Sequence, residues 1–234
     1  MAPAPAVTRP RRVREIVTTG AIRDFSPGEL LADRTVHIVG LAVGIAGAVT
    51  LTLVAAIEFK WAALVTVVAY SAGLVAMLSF SAAYNLGRES RHRHILRRLD
   101  HAAIFAMIAG TYTPFTVLGL EGGWRIGMTI AVWALAGIGI AVKLFAPAHR
   151  STRISTALYL IFGWMGIVAI RPLLQGLSPA VLILLAVGGG LYSVGVVFHA
   201  LQRMPYQNAI WHGFVLAAAM VHFAAVSGMV AAAG

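Results

Sequence analysis

Eight polar side chains interrupt otherwise apolar stretches of the chain. Each of them could bind a metal ion or position a reacting group. They are His37, Ser81, Asn85, Asp100, His101, His199, Asn208 and His212. Ser81 with Asn85, and Asn208 with His212, have i,i+4 spacing, which places both members of a pair on one helix face. Histidine and carboxylate side chains are common zinc ligands and common general acids and bases. The chain has no cysteine, so a thiolate metal site, a disulfide and a cysteine nucleophile are excluded.

Each of these residues also has a structural interpretation. Asp100 is the only acidic residue inside a predicted membrane span, but aspartate is also common as the N-cap of a helix. For His37 and His199, hydrogen bonding at the membrane surface is the alternative to metal ligation. Polar groups within a bilayer are costly, and they mark a functional site by default. The residues therefore predict a polar cluster, but they do not name a reaction.

The elements that must position this cluster are membrane-spanning helices. The chain has 234 residues, of which 59% are apolar and only 11% are charged, a composition that excludes an ordinary soluble domain. Apolar windows of about 20 residues, long enough to cross a bilayer, predict an all-α bundle of seven transmembrane helices. The windows are approximately 36–57, 61–86, 100–120, 124–145, 155–174, 179–202 and 209–232.

The cations predict how the bundle is threaded. The net charge is +10, and every Lys and Arg except Lys60, Arg125 and Arg171 falls on one side of the membrane. By the positive-inside rule, the N-terminus is cytoplasmic and the C-terminus lies on the opposite side. We expect residues 1–25 to form a disordered basic cytoplasmic tail and residues 26–234 to form a single seven-helix domain. A capping box at Ser26-Pro27-Gly28-Glu29 predicts a short interfacial helix before span one.

This threading gathers the polar residues at one depth. All eight lie within about two or three helical turns of the cytoplasmic boundary, at a rise of about 1.5 Å per residue. His222, about 21 Å further along the axis than Asn208, belongs to the outer half of span seven. The basic loop 88–98 fits a topology anchor in contact with anionic lipid better than it fits nucleic-acid binding.

Three segments resemble the hemolysin III family, the bacterial branch of the superfamily that contains the progestin and adiponectin receptors. The first is Ser81-Ala-Ala-Tyr-Asn85 at the end of span two. The second runs from Leu96-Arg-Arg-Leu-Asp100-His101 to Ala109-Gly-Thr-Tyr-Thr-Pro-Phe115 in span three. The third, Pro205-Tyr-Gln-Asn208-Ala-Ile-Trp-His212, opens span seven. The resemblance covers the chain from about residue 27 to its end, and it implies an inward N-terminus.

The resemblance also implies an intramembrane zinc site near the cytoplasmic face. In the family this site uses Ser-x3-His on span two, Asp on span three and His-x3-His on span seven. Ser81 and Asp100, the candidate catalytic residues, match the family pattern, as does His212. Asn85 and Asn208 stand where two of the three zinc-binding histidines are expected. An asparagine carbonyl is a poor zinc ligand, so zinc binding is in doubt.

Three interpretations of this difference stay open. In one, His37 and His199 replace the missing ligands and rebuild a zinc site with His212. In another, the chain keeps a weak metal site, a site for a harder metal, or no metal site at all, and Asp100 forms a hydrogen-bonded network with the two asparagines. In the third, zinc binds with asparagine ligands at low affinity. The loss of histidine on two helices indicates that positions 85 and 208 face each other, with an Asn–Asn or Asn–Asp contact satisfying the buried groups.

The sequence leaves three functions open. The first is a role in membrane homeostasis or lipid sensing, with a lipid bound between the helices and its head group at the polar cluster. The second is a metal-dependent, ceramidase-like lipid amide hydrolase, which the missing histidines weaken. The third is a pore-forming cytolysin, although no polar stripe crosses the predicted bundle. We expect membrane lipids, and no nucleic acid, as partners. A homo-oligomer is compatible with the sequence. The expected location is the bacterial inner membrane.

Overall fold

The structure is a computed structural model that describes residues 13–16, 22–58, 61–146 and 152–232. Within these ranges, seven helical segments are long and apolar enough to cross a membrane, which confirms the predicted seven-helix bundle. Spans one to four are Pro27–Ile57, Trp61–Leu86, Arg93–Gly119 and Gly122–Phe145. Spans five to seven are Ile154–Gly176, Pro179–Ala200 and Gln207–Ala232.

Span one begins well before the predicted position 36. The Ser26 side chain accepts a hydrogen bond from the Glu29 N–H, and the Glu29 carboxylate accepts one from the Ser26 N–H, so the predicted capping box is present. This cap starts one continuous helix at Pro27 rather than a separate interfacial helix. The longer helix takes in Asp33, so the expectation that Asp100 is the only acidic residue in a span is wrong.

Span five is broken in the middle, where a single helix over 155–174 is predicted. It is formed by an α-helix at Thr152–Gly163, which starts two residues before the span, a 3-10 helix at Met165–Ala169 and a second α-helix at Ile170–Gly176. The break leaves backbone groups of span five in need of hydrogen-bond partners, and Tyr112 on span three supplies two of these bonds. Its hydroxyl donates to the Gly163 carbonyl at 2.7 Å and accepts from the Gly166 N–H at 2.7 Å. Side-chain bonds of this kind allow a helix to break within a membrane.

Spans two and three pack against each other backbone to backbone. A Cβ added at Gly73 would lie 2.8 Å from the Ala106 carbonyl oxygen, and one added at Gly110 would lie 2.8 Å from the Ala69 carbonyl oxygen. Such close approach requires glycine, and it is typical of helix pairs in membranes. The main core lies beside this contact and includes Val67, Tyr70, Leu74, Val226 and Val230.

Two short strands precede span one. β1 (Val13–Ile16) and β2 (Ile22–Phe25) pair antiparallel, with Val13 opposite Phe25. They fall in the segment 1–25, for which the sequence predicts a disordered tail; residues 1–12 and 17–21 of that segment lie outside the described residues.

Candidate functional site

The centre of the polar cluster is Asp33, a residue that the sequence did not single out. Its side chain is buried, with the residue only 3% exposed. Carboxylate oxygen Oδ1 accepts a hydrogen bond from His212 Nδ1 at 3.0 Å. The other oxygen, Oδ2, accepts from Asn208 Nδ2 at 2.8 Å and from Arg88 Nη2 at 3.4 Å. Both oxygens of this buried carboxylate are therefore bonded, and a guanidinium supplies the opposite charge.

The two asparagines at the expected histidine positions face each other. Asn208 Nδ2 also donates to Asn85 Oδ1 at 3.2 Å, which confirms the predicted contact between these positions. Asn85 Nδ2 in turn donates to the Ser81 carbonyl oxygen at 2.9 Å. The acidic member of the network is Asp33, not Asp100, because the carboxylate of span one is the one within hydrogen-bond distance of Asn208.

His37 lies against the same carboxylate, one helical turn beyond Asp33. Its Nδ1 is 2.8 Å from the Asp33 carbonyl oxygen. A carbonyl can only accept, so Nδ1 carries the proton, and Nε2 accepts from the Ser81 hydroxyl at 3.3 Å. The His37 ring meets the His212 ring edge to face, with centroids 4.3 Å apart. We call Asp33, His37, Asn85, Arg88, Asn208 and His212 the Asp33 network.

The start of span one holds this network in register with span seven. Besides closing the capping box, Glu29 accepts a hydrogen bond from the Tyr206 N–H at 3.0 Å through Oε1. Tyr206 has a φ of 56°, a left-handed conformation that is uncommon for a residue with a side chain, and it immediately precedes span seven. The contact joins the first turn of span one to the residue before Gln207, so Asp33 lies opposite Asn208 and His212.

The remaining site residues predicted from the sequence lie beside the Asp33 network. Asp100 is not an N-cap, because span three begins at Arg93 and its N-cap is His92. Its Oδ2 lies 3.5 Å from His101 Nδ1. The His199 ring packs against Trp211 with centroids 5.0 Å apart, and His199 Nδ1 is buried with no hydrogen-bond partner among the described residues.

A cavity of about 210 Å³ opens between the helices next to the network. We call the end of the bundle where Arg88 and the Asp33 network lie the basic end. Towards the basic end, the cavity wall is polar and includes His37, Ser81, Asp100, His101, His199 and His212. Its body is lined mainly by apolar side chains such as Met77, Leu78, Ile104, Met107, Val196 and Leu216. Tyr192 and His222 add polar groups further from the basic end. An apolar cavity with a few convergent polar groups is the usual form of a small-molecule site.

Comparison with known proteins identifies the family of the chain. The family model described as haemolysin-III related matches residues 31–223. The chain belongs to the hemolysin III family. It is 36% identical to the hemolysin-3 homolog of Bacillus subtilis (strain 168) over 202 residues, which is 85% of this chain and 93% of the relative. It is 35% identical to hemolysin-3 of Bacillus cereus over 197 residues, covering 83% of this chain and 89% of the relative.

More distant relatives agree with the wider superfamily. The human monocyte to macrophage differentiation factor is 28% identical over 165 residues, covering 67% of each chain. A heptahelical transmembrane protein ADIPOR1 of Oryza sativa subsp. japonica is 27% identical over 180 residues. This hemolysin III protein is therefore an integral, multi-pass membrane protein.

The zinc site expected from the family does not fit the residues present. At positions 85 and 208 the side chains are neutral amides, whose Oδ1 atoms are poor zinc ligands, and Asn85 Oδ1 already accepts a hydrogen bond from Asn208 Nδ2. Another set, Asp33, His37 and His212, has donor atoms within 4.8 Å of one another, a spacing that a metal ion could bridge. In this set, however, the donor atoms are already engaged. Asp33 Oδ1 accepts a hydrogen bond from His212 Nδ1, and Asp33 Oδ2 accepts from Asn208 and Arg88.

One sequence signal could have revealed Asp33. The capping box fixes the start of the helix at residue 27, so Asp33 falls on the second turn, four residues before His37. Helical spacing then places Asp33 and His37 on one face. Arg88 gave no such signal, because a cation at the end of a span ordinarily remains at the membrane surface.

Proposed function

We propose that this hemolysin III protein binds a single-chain lipid inside the bundle and acts in membrane homeostasis or lipid sensing. The observation that carries the proposal is the cavity, which is polar at the basic end and mainly apolar along its body. This distribution matches an amphiphile whose polar group lies among the histidines and whose chain extends between the helices. The basic end would face the cytoplasm of a bacterial inner membrane, a placement supported by the Lys and Arg distribution.

Two imidazoles in the cavity wall support this polar end. His101 Nδ1 and His199 Nδ1 are buried and have no hydrogen-bond partner among the described residues. A buried polar atom without a partner is costly, and an acidic or hydroxyl head group would satisfy His199 Nδ1, whereas His101 Nδ1 already has Asp100 Oδ2 at 3.5 Å.

The test uses the tryptophans of the chain as reporters. Trp211 lines the cavity, whereas Trp124 lies outside it. Dibromostearic acid added to the purified protein in detergent should quench tryptophan fluorescence saturably, and excess stearic acid should reverse the effect. Trp164 also lines the cavity, so the double variant Trp164→Phe, Trp211→Phe should remove most of the reversible quenching, and Trp124→Phe should leave it in place. A lack of any saturable component that stearic acid reverses would overturn the proposal.

A pair of histidine variants then tests the polar end. His199→Ala should weaken stearic acid binding about tenfold, the effect of losing one charge-assisted hydrogen bond. His94→Ala is the matched control, because His94 is exposed at the same end of the bundle and does not line the cavity. Equal affinities of the two variants would contradict the assignment of His199 to the head-group site.

A metal-dependent lipid amide hydrolase is the second candidate. The spacing of Asp33, His37 and His212 favours it, and the hydrogen bonds that already engage Asp33 weigh against it. Metal analysis of the purified protein separates the two candidates. We expect far less than one zinc per chain. One tightly held zinc per chain, lost in His37→Ala but kept in His94→Ala, together with turnover of a short-chain ceramide, would establish the hydrolase instead.

A further inference from the structure

The cavity has a second polar position, far from the histidines of the basic end. His222 lies ten residues after His212 on span seven, about 15 Å further along the helix axis. Its ring lies 5.7 Å from the ring of Tyr192 on span six, centroid to centroid, and both side chains line the cavity. Polar side chains at this depth are costly, which makes this pair a candidate site in its own right.

Both members of this pair offer hydrogen-bonding capacity that the described residues leave unused. His222 Nε2 lies 3.4 Å from the Leu185 carbonyl oxygen, so Nε2 is the protonated nitrogen and Nδ1 carries a lone pair. Neither Nδ1 nor the Tyr192 hydroxyl forms a hydrogen bond with a described residue. The pair therefore presents a hydroxyl donor and an imidazole acceptor to the same part of the cavity.

The neighbouring residues are arranged around the His222 ring. A Cβ added at Gly188 would lie 2.2 Å from His222 Cδ2, so only glycine at this position leaves room for the ring. Nearby, Tyr70 is completely buried against Phe223, and its hydroxyl also lacks a partner among the described residues. This layer of the bundle thus holds more hydrogen-bonding groups than its own residues satisfy.

We propose that Tyr192 and His222 form a subsite for a hydroxyl group in the middle of the bound lipid chain. A hydroxyl can accept from the Tyr192 O–H and donate to His222 Nδ1 at once, whereas a methylene satisfies neither and a ketone could only accept. The ligand class is therefore a fatty acid or a related single-chain lipid with a mid-chain hydroxyl. This inference rests on the proposed lipid-binding function, and it adds the selectivity of the site.

The experiment compares three fatty acids as competitors of dibromostearic acid in the quenching assay. Wild-type protein should bind 12-hydroxystearic acid about tenfold more tightly than stearic acid, because two buried groups gain partners. With 2-hydroxystearic acid, the hydroxyl lies next to the head group at the basic end, which makes this acid the positional control.

Tyr192→Phe removes one hydroxyl and keeps the ring, so the variant is read by the ratio of its own affinities for 12-hydroxystearic acid and stearic acid. The preference for 12-hydroxystearic acid should fall to about threefold or less, and affinity for 2-hydroxystearic acid should not change. Tyr84→Phe, which removes a tyrosine hydroxyl outside the cavity, should keep the full preference.

The outcomes separate this inference from the proposed function. Wild-type protein that binds stearic and 12-hydroxystearic acid equally would overturn the mid-chain subsite and leave lipid binding intact. Wild-type protein that binds none of the three acids would overturn lipid binding itself. A preference that persists in Tyr192→Phe would contradict the assignment to Tyr192, whether or not His222 contributes.

Discussion

The Asp33 network and the polar residues that line the cavity outside the network, such as His101 and His199, differ in how their hydrogen bonds are satisfied. In the network, both oxygens of Asp33 are bonded, and Asn208 donates to two acceptors. In the cavity wall, His199 Nδ1 has no hydrogen-bond partner among the described residues, and His101 Nδ1 has a contact of 3.5 Å to Asp100 Oδ2 but no hydrogen bond. Buried polar groups that serve the fold are normally satisfied by the protein itself. The difference therefore assigns a structural role to the network and a ligand-binding role to the wall.

The largest expected effect is a gain of zinc in a variant that restores the family histidines. The double variant Asn85→His, Asn208→His gives three imidazoles with His212, a ligand set that zinc prefers over amides. We expect about one zinc per chain after washing with a weak chelator, against almost none in the parent, by elemental analysis. The double glutamine variant at the same positions is the control. A histidine variant without zinc would contradict the view that the amides exclude the metal.

Loss of the Asp33 carboxylate should break the network. Asp33→Ala leaves His212, Asn208 and Arg88 without their shared acceptor, and we expect the free energy of unfolding to fall by about 3–5 kcal/mol. Denaturant titration in mixed micelles measures this change. Asp100→Ala, at a carboxylate whose one described ion pair is a 3.5 Å contact to His101, should cost clearly less than Asp33→Ala. Equal losses in the two variants would remove the distinction between network and wall.

The free energy of unfolding should depend on how tightly residues pack around the cavity, as at Gly188, more than on the charge of the cavity wall. Gly188→Ala places a methyl group against the His222 ring, and we expect a loss of about 1–3 kcal/mol in the free energy of unfolding. Gly190→Ala is the matched control on the same helix, because nothing lies within 4 Å of a Cβ added there. A comparable loss in both variants would show that helix flexibility, not the room for His222, determines the result.

The smallest effect should come from the contact that joins the start of span one to span seven. Glu29→Ala removes half of the capping box and the bond to the Tyr206 N–H, and should lower the free energy of unfolding by about 1 kcal/mol. Glu29→Gln keeps an acceptor at both positions and should recover most of the loss. If the alanine variant unfolds like the parent, the Asp33 network does not depend on this contact.

The sequence predicted the fold more completely than the site. Apolar length is a local property, so the seven spans followed from it, and the RRLDH segment that ends in Asp100 and His101 pointed to the family. The contact between Asn85 and Asn208 was predicted from paired departures at two family positions. The choice between Asp33 and Asp100 was not predicted correctly, because the start of span one was placed at the first apolar window rather than at its cap.

The break in span five and the unpartnered groups of the cavity could not have been predicted in the same way. Both depend on which side chains from other spans come within about 3 Å, as the Tyr112 hydroxyl does at Gly163 and Gly166. Sequence by itself determined a seven-helix membrane protein whose polar residues gather at one end, because hydrophobicity and charge act residue by residue. Only the tertiary structure decided which of them satisfy one another and which remain open to a ligand, because hydrogen bonding depends on the positions of atoms on different helices.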